Sequence, residues 1–316
     1  MTNHTEADST NVRVIAVDER TDVAIEHLRL SDGRTLEYSD TGSNYQDTII
    51  AHHGTPGTGS PMDYELANAA ELGICLIYPT RPGYASSSRH PGRSVASVAN
   101  DIKELLDHLE ITRCASYGTS GGGPHALACG ALLPDRVVAV ASISSVGAYG
   151  QDDLDFLEGM GEDNLDEFGL ALQGADNLSQ YLNQAREAMV AADVDSIVAT
   201  MATLLTPVDV AAIRHLGKEI VDDFDHALSN GIDGWLDDDL AFVKPWGFEL
   251  DAMTTPVQIW QGDQDLMVPV QHSSWLANHI HSSELLRLPD EGHLSTPLHN
   301  STKILSWLKG HLRDNL

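Results

Sequence analysis

Gly118-Thr119-Ser120-Gly121-Gly122 constrains this chain more than any other stretch. An apolar run, Arg113–Tyr117, precedes it, and a small-residue helical run, Pro124–Leu133, follows. A serine on so abrupt a strand-to-helix turn must take a strained backbone, and small neighbours let the chain fold back on itself. The helix start behind it offers free N–H groups and a positive dipole end, which suit a developing oxyanion. Pro124 costs little there, because the first helical N–H groups lack intrahelical partners. The turn reads as the seat of a nucleophile, Ser120, with the Gly121 N–H as one oxyanion donor.

The surrounding pattern agrees with such a turn. Ala24–Leu30 and Thr35–Tyr38 flank Ser31-Asp32-Gly33-Arg34 and read as a hairpin. Short apolar strands follow at Asp47–His52 and Gly73–Tyr78. Val95, Val98, Ala99, Ile102, Leu105, Leu106 and Leu109 recur at helical spacing. Val137–Ile143, Val257–Trp260 and Glu284–Leu288 read as further strands, with helices near Val270–His281 and Ser301–Leu312. Strands alternating with helices predict an α/β fold with a mostly parallel sheet and an antiparallel hairpin at its edge.

A serine needs a base, and the base needs a carboxylate that holds its tautomer. Fifteen histidines make histidine alone weak evidence. His293 stands apart because it follows the last strand, after Gly292, and comes after the serine in the chain. His125 should project along the helix away from the turn, and His52 and His53 precede the serine. The carboxylate is expected in Gly262-Asp263-Gln264-Asp265, between the last two strands. Asp265 is the choice, being deeper in that loop, and Asp263 the competitor. The second oxyanion donor is expected from the loop His53-Gly54-Thr55-Pro56-Gly57, as the Thr55 N–H, since Pro56 has none.

Together these stretches resemble the α/β-hydrolase fold family. His53-Gly54-Thr55-Pro56-Gly57 resembles its HGxPG loop. Arg81-Pro82-Gly83-Tyr84-Ala85-Ser86-Ser87 resembles its DRPGYGxS stretch, with Thr80 and Ala85 departing from it. Gly262-x-x-Asp265-x-x-Val268-Pro269 resembles its acid loop and Gly292-His293 its histidine loop. The likeness implies a Ser120–Asp265–His293 triad, an oxyanion hole at Thr55 and Gly121, and a central sheet flanked by helices. It places the core in residues 21–150 and 246–316 and a cap in 151–245; the apolar spacing within 151–245 reads as mainly helical, and residues 1–20, polar and irregular, read as a loose arm. A serine in the nucleophile position argues against the relatives that use aspartate there, the haloalkane dehalogenases and epoxide hydrolases. The expected activity is carboxylic ester hydrolysis through an acyl-enzyme. Proline iminopeptidases, cofactor-free perhydrolases and carbon–carbon bond hydrolases share the triad and stay as alternatives, as does a non-catalytic binding protein on the same fold.

Charge sharpens the picture. Asp plus Glu number 47 against 18 Lys plus Arg, a net of -29, which argues against nucleic acid or an anionic membrane as partner. Between Gln151 and Asp239 stand 21 acids and 3 bases, so most of the excess belongs to the inserted segment. These acids are expected to form a solvated face, with Glu158, Glu162 or Glu187 as candidates for binding a cationic group. Phe156, Met160, Trp235 and Phe242 are candidates for lining a substrate pocket. Cys75, Cys114 and Cys129 read as buried thiols. No Cys/His cluster has zinc spacing, so neither metal nor cofactor is expected. The chain opens polar and acidic without an apolar leader, and a cytoplasmic location and a small-molecule ester or amide substrate are expected.

Overall fold

The computed structural model describes residues 16–17, 23–42 and 45–313. Apart from Ala16–Val17, the arm expected over 1–20 lies outside the described residues. Among the described residues nine strands form one sheet: β1 (Ala16–Val17), β2 (Ala24–Arg29), β3 (Thr35–Asp40), β4 (Thr48–His52), β5 (Cys75–Pro79), β6 (Cys114–Thr119), β7 (Val137–Ile143), β8 (Val257–Gly262) and β9 (Ser283–Leu288). Their spatial order is β1-β2-β3-β5-β4-β6-β7-β8-β9. The six strands from β5 to β9 run parallel, and β1, β2 and β3 make the antiparallel edge.

The central strands β4, β5 and β8 are buried along their whole length because both sheet faces are covered. Within β4, Ile50 joins the core on one face, while Ile49 and Ala51 join the core on the other. Helices α1 (Asp63–Leu72) and α11 (Ser295–Arg313) cover the second face, through Ala69, Ile304, Leu305 and Leu308. Helices α2 (Val98–His108), α3 (Gly123–Leu132) and α10 (Val270–His279) cover the first, with the Ile102 to Leu109 stripe of α2 buried. α11 begins six residues before the expected Ser301, because Pro297 is compatible with a first helical turn.

Six helices lie between β7 and β8: α4 (Glu162–Ala171), α5 (Ala175–Met189), α6 (Val194–Thr200), α7 (Pro207–Leu216), α8 (Lys218–Ala227) and α9 (Asp233–Phe242). Phe156, Leu157 and Met160 fall at helical spacing, yet no helix forms there. Residues 151–161 form turns, with Gly159 at φ +80° and Gly161 packed against the Thr203 carbonyl. Among the described residues no helix is long and apolar enough to cross a membrane.

Candidate active site

Four loops leave the carboxyl ends of parallel strands and converge. The loop after β4 carries His53 to Thr55, that after β6 carries Ser120, that after β8 carries Asp265 and that after β9 carries His293. Parallel sheets place ligands at this end, since the loops there face one crevice.

Ser120 sits at φ +56°, the left-handed region that a non-glycine residue seldom takes. Its neighbours explain why the position is tolerated. A Cβ at Gly118 would overlap the Gly122 carbonyl, and one at Gly122 would overlap the His52 carbonyl. The turn therefore closes only with glycine on both sides.

His293 and Asp265 are both buried, at 2% and 4% exposure, and His293 Nδ1 lies 2.8 Å from Asp265 Oδ2. Asp265 Oδ1 accepts the N–H groups of Met267 (2.9 Å) and Val268 (2.8 Å), and Gln261 donates to Oδ2 at 3.1 Å. Its carboxylate is thus aimed by its own loop. Asp263, the sequence competitor, instead takes Arg287 at 2.8 Å on the outside of the sheet.

Burial pulls the His293 pKa down, but the charge and hydrogen bond of Asp265, and then the charge of Asp209, outweigh it and leave the ring above its ordinary value. Asp209, on α7, is fully buried and holds the histidine loop: it accepts the N–H groups of His293 (3.0 Å), Leu294 (2.8 Å) and Ser295 (3.2 Å). Sequence reading missed this residue. The pairing joins positions 84 or more residues apart, and no local pattern announces it.

Ser120, His293, Thr55 and Gly121 line one cavity of about 410 Å³. Trp235 and Phe242 line it as well. Phe156 and Met160 do not: Phe156 packs edge-on against Tyr149, Phe168 and His272, with centroids 5.1–5.6 Å apart, and Met160 is buried in the same core. Because residues 151–161 turn rather than coil into a helix, these side chains fill the core instead of the crevice.

The candidate acids are corrected too. Glu158, Glu162 and Glu187 are exposed and stand away from the cavity. Glu65, Asp163, Glu167, Asp223 and Asp239 line it instead, with no Lys or Arg among the described lining residues. Nor do all the acids of the insert form a solvated face, since Asp237, Asp238 and Asp239 are at most 5% exposed. A signal was present. Consecutive helical residues point about 100° apart, so three acids in a row span roughly 200° and do not share one narrow polar stripe. With Trp235, Leu236, Leu240, Ala241 and Phe242 around them, some had to face inward.

A sequence model described as "alpha/beta hydrolase fold" matches residues 47–299. The chain belongs to the α/β-hydrolase fold family. Among curated relatives, an uncharacterized hydrolase YcgS of Bacillus subtilis (strain 168) is 34% identical over 115 residues, 36% of this chain and 39% of that protein. The match thus spans well under two thirds of that relative's length. A probable esterase of Oryza sativa subsp. japonica is 24% identical over 224 residues, 68% of this chain and 71% of that protein. Among solved structures of this α/β-hydrolase fold, an esterase from Exiguobacterium antarcticum superposes with a TM-score of 0.65 at 21% identity, covering 91% of this chain and 98% of that one.

Among the described residues no cluster of three His, Cys, Asp or Glu is arranged to hold a metal ion. The three cysteines are free and buried.

Proposed function

We propose that this α/β hydrolase is a serine esterase that cleaves small carboxylic esters through an acyl-enzyme on Ser120. The supporting observation is the buried 2.8 Å contact of Asp265 with His293 Nδ1, in a ring that borders the same cavity as Ser120. A neutral imidazole with its proton on Nδ1, held by the carboxylate, leaves Nε2 free to act as base. In this reading Ser120 attacks the ester carbonyl while His293 takes its proton. The N–H groups of Thr55 and Gly121 hold the oxyanion, and His293 returns the proton to the departing alcohol. Water then repeats the attack on the acyl-enzyme.

The inserted segment, residues 151–245, acts in this reading as a cap on a core made of 21–150 and 246–316. Residues of α4, α5, α8 and α9 supply much of the cavity wall. Ser120→Ala, assayed on short p-nitrophenyl esters, tests the proposal together with fluorophosphonate labelling of the parent protein. Loss of both activity and label is expected, and full hydrolysis by the variant would refute the assignment.

One observation favours a second reading, an aminopeptidase. Glu167 and Asp239 face the cavity as a pair, and Asp239 Oδ2 has no hydrogen-bond partner. Burial, and then the charge of Glu167, push the Asp239 carboxyl well up. Burial pushes Glu167 up to about 6. Two buried carboxyl groups side by side, with no Lys or Arg lining the cavity among the described residues, suit a substrate ammonium. A panel of neutral esters against proline arylamides separates the two readings by which class is turned over faster.

A further inference from the structure

Resting on the acyl-transfer reading above, we propose that Asp238, on α9 of the inserted helices, is a positioning residue for the oxyanion loop. It acts through Arg81 and the Thr55 hydroxyl. Asp238 lies 183 residues from Thr55 of the oxyanion loop, and its side chain is fully buried. Its Oδ2 accepts from Arg81 Nη2 (2.8 Å), Tyr84 Oη (2.8 Å) and Thr55 Oγ1 (2.9 Å). Its Oδ1 accepts from Arg93 Nη1 at 2.6 Å. Burial alone would push this carboxyl up, but Arg81 and Arg93 outweigh burial and hold it well below the ordinary range. His125, whose Nε2 stands 3.4 Å from Oδ1, is driven down to about 4 chiefly by burial and stays neutral.

Arg81 has a second set of partners. Its guanidinium donates to the carbonyl oxygens of His53 and Gly54, the latter at 2.7 Å, and to Thr55 Oγ1 at 3.0 Å. The Gly54 carbonyl and the Thr55 N–H are the two ends of one planar peptide. Fixing the carbonyl on the arginine side therefore fixes the N–H on the opposite side. The Ser120 side chain is close to this peptide, its Cβ 3.7 Å from where a Cβ on Gly54 would stand. The positive charge also polarises that peptide and strengthens the N–H as a donor.

Arg81 does not hold this posture alone. Arg81 and Arg93 are both buried, and Asp238 is the carboxylate that both of them bond. Without its charge two desolvated cations would face each other, a strongly unfavourable arrangement unless one moves. The Thr55 hydroxyl would also lose one of its two partners. Asp238 thus ties the orientation of an oxyanion donor to the placement of α9. Its neighbour Asp237 anchors the same helix to Arg89 at 2.8 Å without bonding the oxyanion loop.

The test compares p-nitrophenyl acetate with its thiono analogue, in which sulfur replaces the carbonyl oxygen and bonds the N–H donors poorly. Asp238→Asn is expected to lower kcat on the acetate by about tenfold or more, with KM nearly unchanged, and to compress the oxo-to-thiono rate ratio. Asp237→Asn is expected to keep the parent ratio. Should Asp238→Asn fail to fold, Thr55→Val keeps the peptide N–H, removes only the hydroxyl, and is expected to compress the ratio with a smaller fall in kcat. An unchanged ratio in the folded variant overturns the proposal whatever its kcat, as does equal compression by Asp237→Asn. If the parent protein is not labelled by fluorophosphonate, the acyl-transfer reading falls and this proposal with it. A labelled parent with an unchanged ratio sinks the positioning role alone.

Discussion

Asp265 holds His293 through Nδ1 at 2.8 Å, from a loop that leaves the strand beside the one before His293. The two residues lie 28 positions apart in the chain and meet because β8 and β9 are parallel neighbours. Removing the charge but not the shape tests what that contact does. Asp265→Asn is expected to lower kcat on p-nitrophenyl acetate by about 10⁴, since the wrong imidazole tautomer would face Ser120. Asp263→Asn, which breaks only the outer contact with Arg287, is expected to change kcat by less than about twofold. Equal losses in the two variants would reverse the assignment.

The base works only when His293 is neutral, and its pKa lies above the ordinary value. Activity is therefore expected to fall as pH drops through that raised value. Asp209→Asn removes one of the negative charges that raise it, so the acid limb of kcat/KM is expected to move to lower pH. Asp265 still faces the ring in that variant. A pH–rate profile on the acetate ester checks this, and an acid limb that stays in place would show that the Asp209 charge has no influence on the base.

Glu167 carries a stability signature of its own. Burial raises its folded pKa to about 6, above the ordinary carboxylate value. The folded state then binds a proton that the unfolded state releases, so this group costs stability increasingly as pH rises from about 4.5 through 6. Glu167→Gln removes that cost while keeping an acceptor for Trp235 Nε1, which lies 2.8 Å from Glu167 Oε1. The variant is expected to melt higher than the parent at pH 8 and equal to it at pH 4.5. Thermal melts at both pH values decide the matter, and a lower melting point at pH 8 counts against it.

Phe242 lies on the cavity wall, its ring in contact range of where a Cβ on Gly121 would stand. Phe242→Ala opens space beside the proposed oxyanion donor. A longer preferred acyl chain is expected across a p-nitrophenyl ester series, together with a loss of about 3–5 kcal/mol of stability. Chemical denaturation reads the second effect, and an unchanged chain-length optimum would show that the ring does not bound the acyl site.

The amino-acid sequence by itself determined the fold class and the loops that bear the candidate chemistry. Strands such as Val137–Ile143 announce burial on both faces by being apolar at all but one position, and the glycines around Ser120 announce a turn that nothing larger can make. Such signals are local: they depend on backbone geometry and on residues a few positions apart. Depth in the loop ranked Asp265 over Asp263, and the two carboxylates meet different partners, His293 and Arg287.

Only the tertiary structure decided which acids of the insert do what. Asp209, Asp223, Asp237, Asp238 and Asp239 look alike in a run of 21 acids, yet each meets a different partner. Asp209 meets the histidine loop, Asp223 meets Thr58, Asp237 meets Arg89, Asp238 meets Arg81 and Arg93, and Asp239 meets the cavity. The same holds for Phe156 and Phe242, two aromatic residues of one segment, of which only the second lines the crevice. A charge or a ring has no assigned role until the fold brings distant chain to it. Those contacts span tens to more than a hundred residues, and the energy of burying each group depends on that partner rather than on its neighbours in sequence.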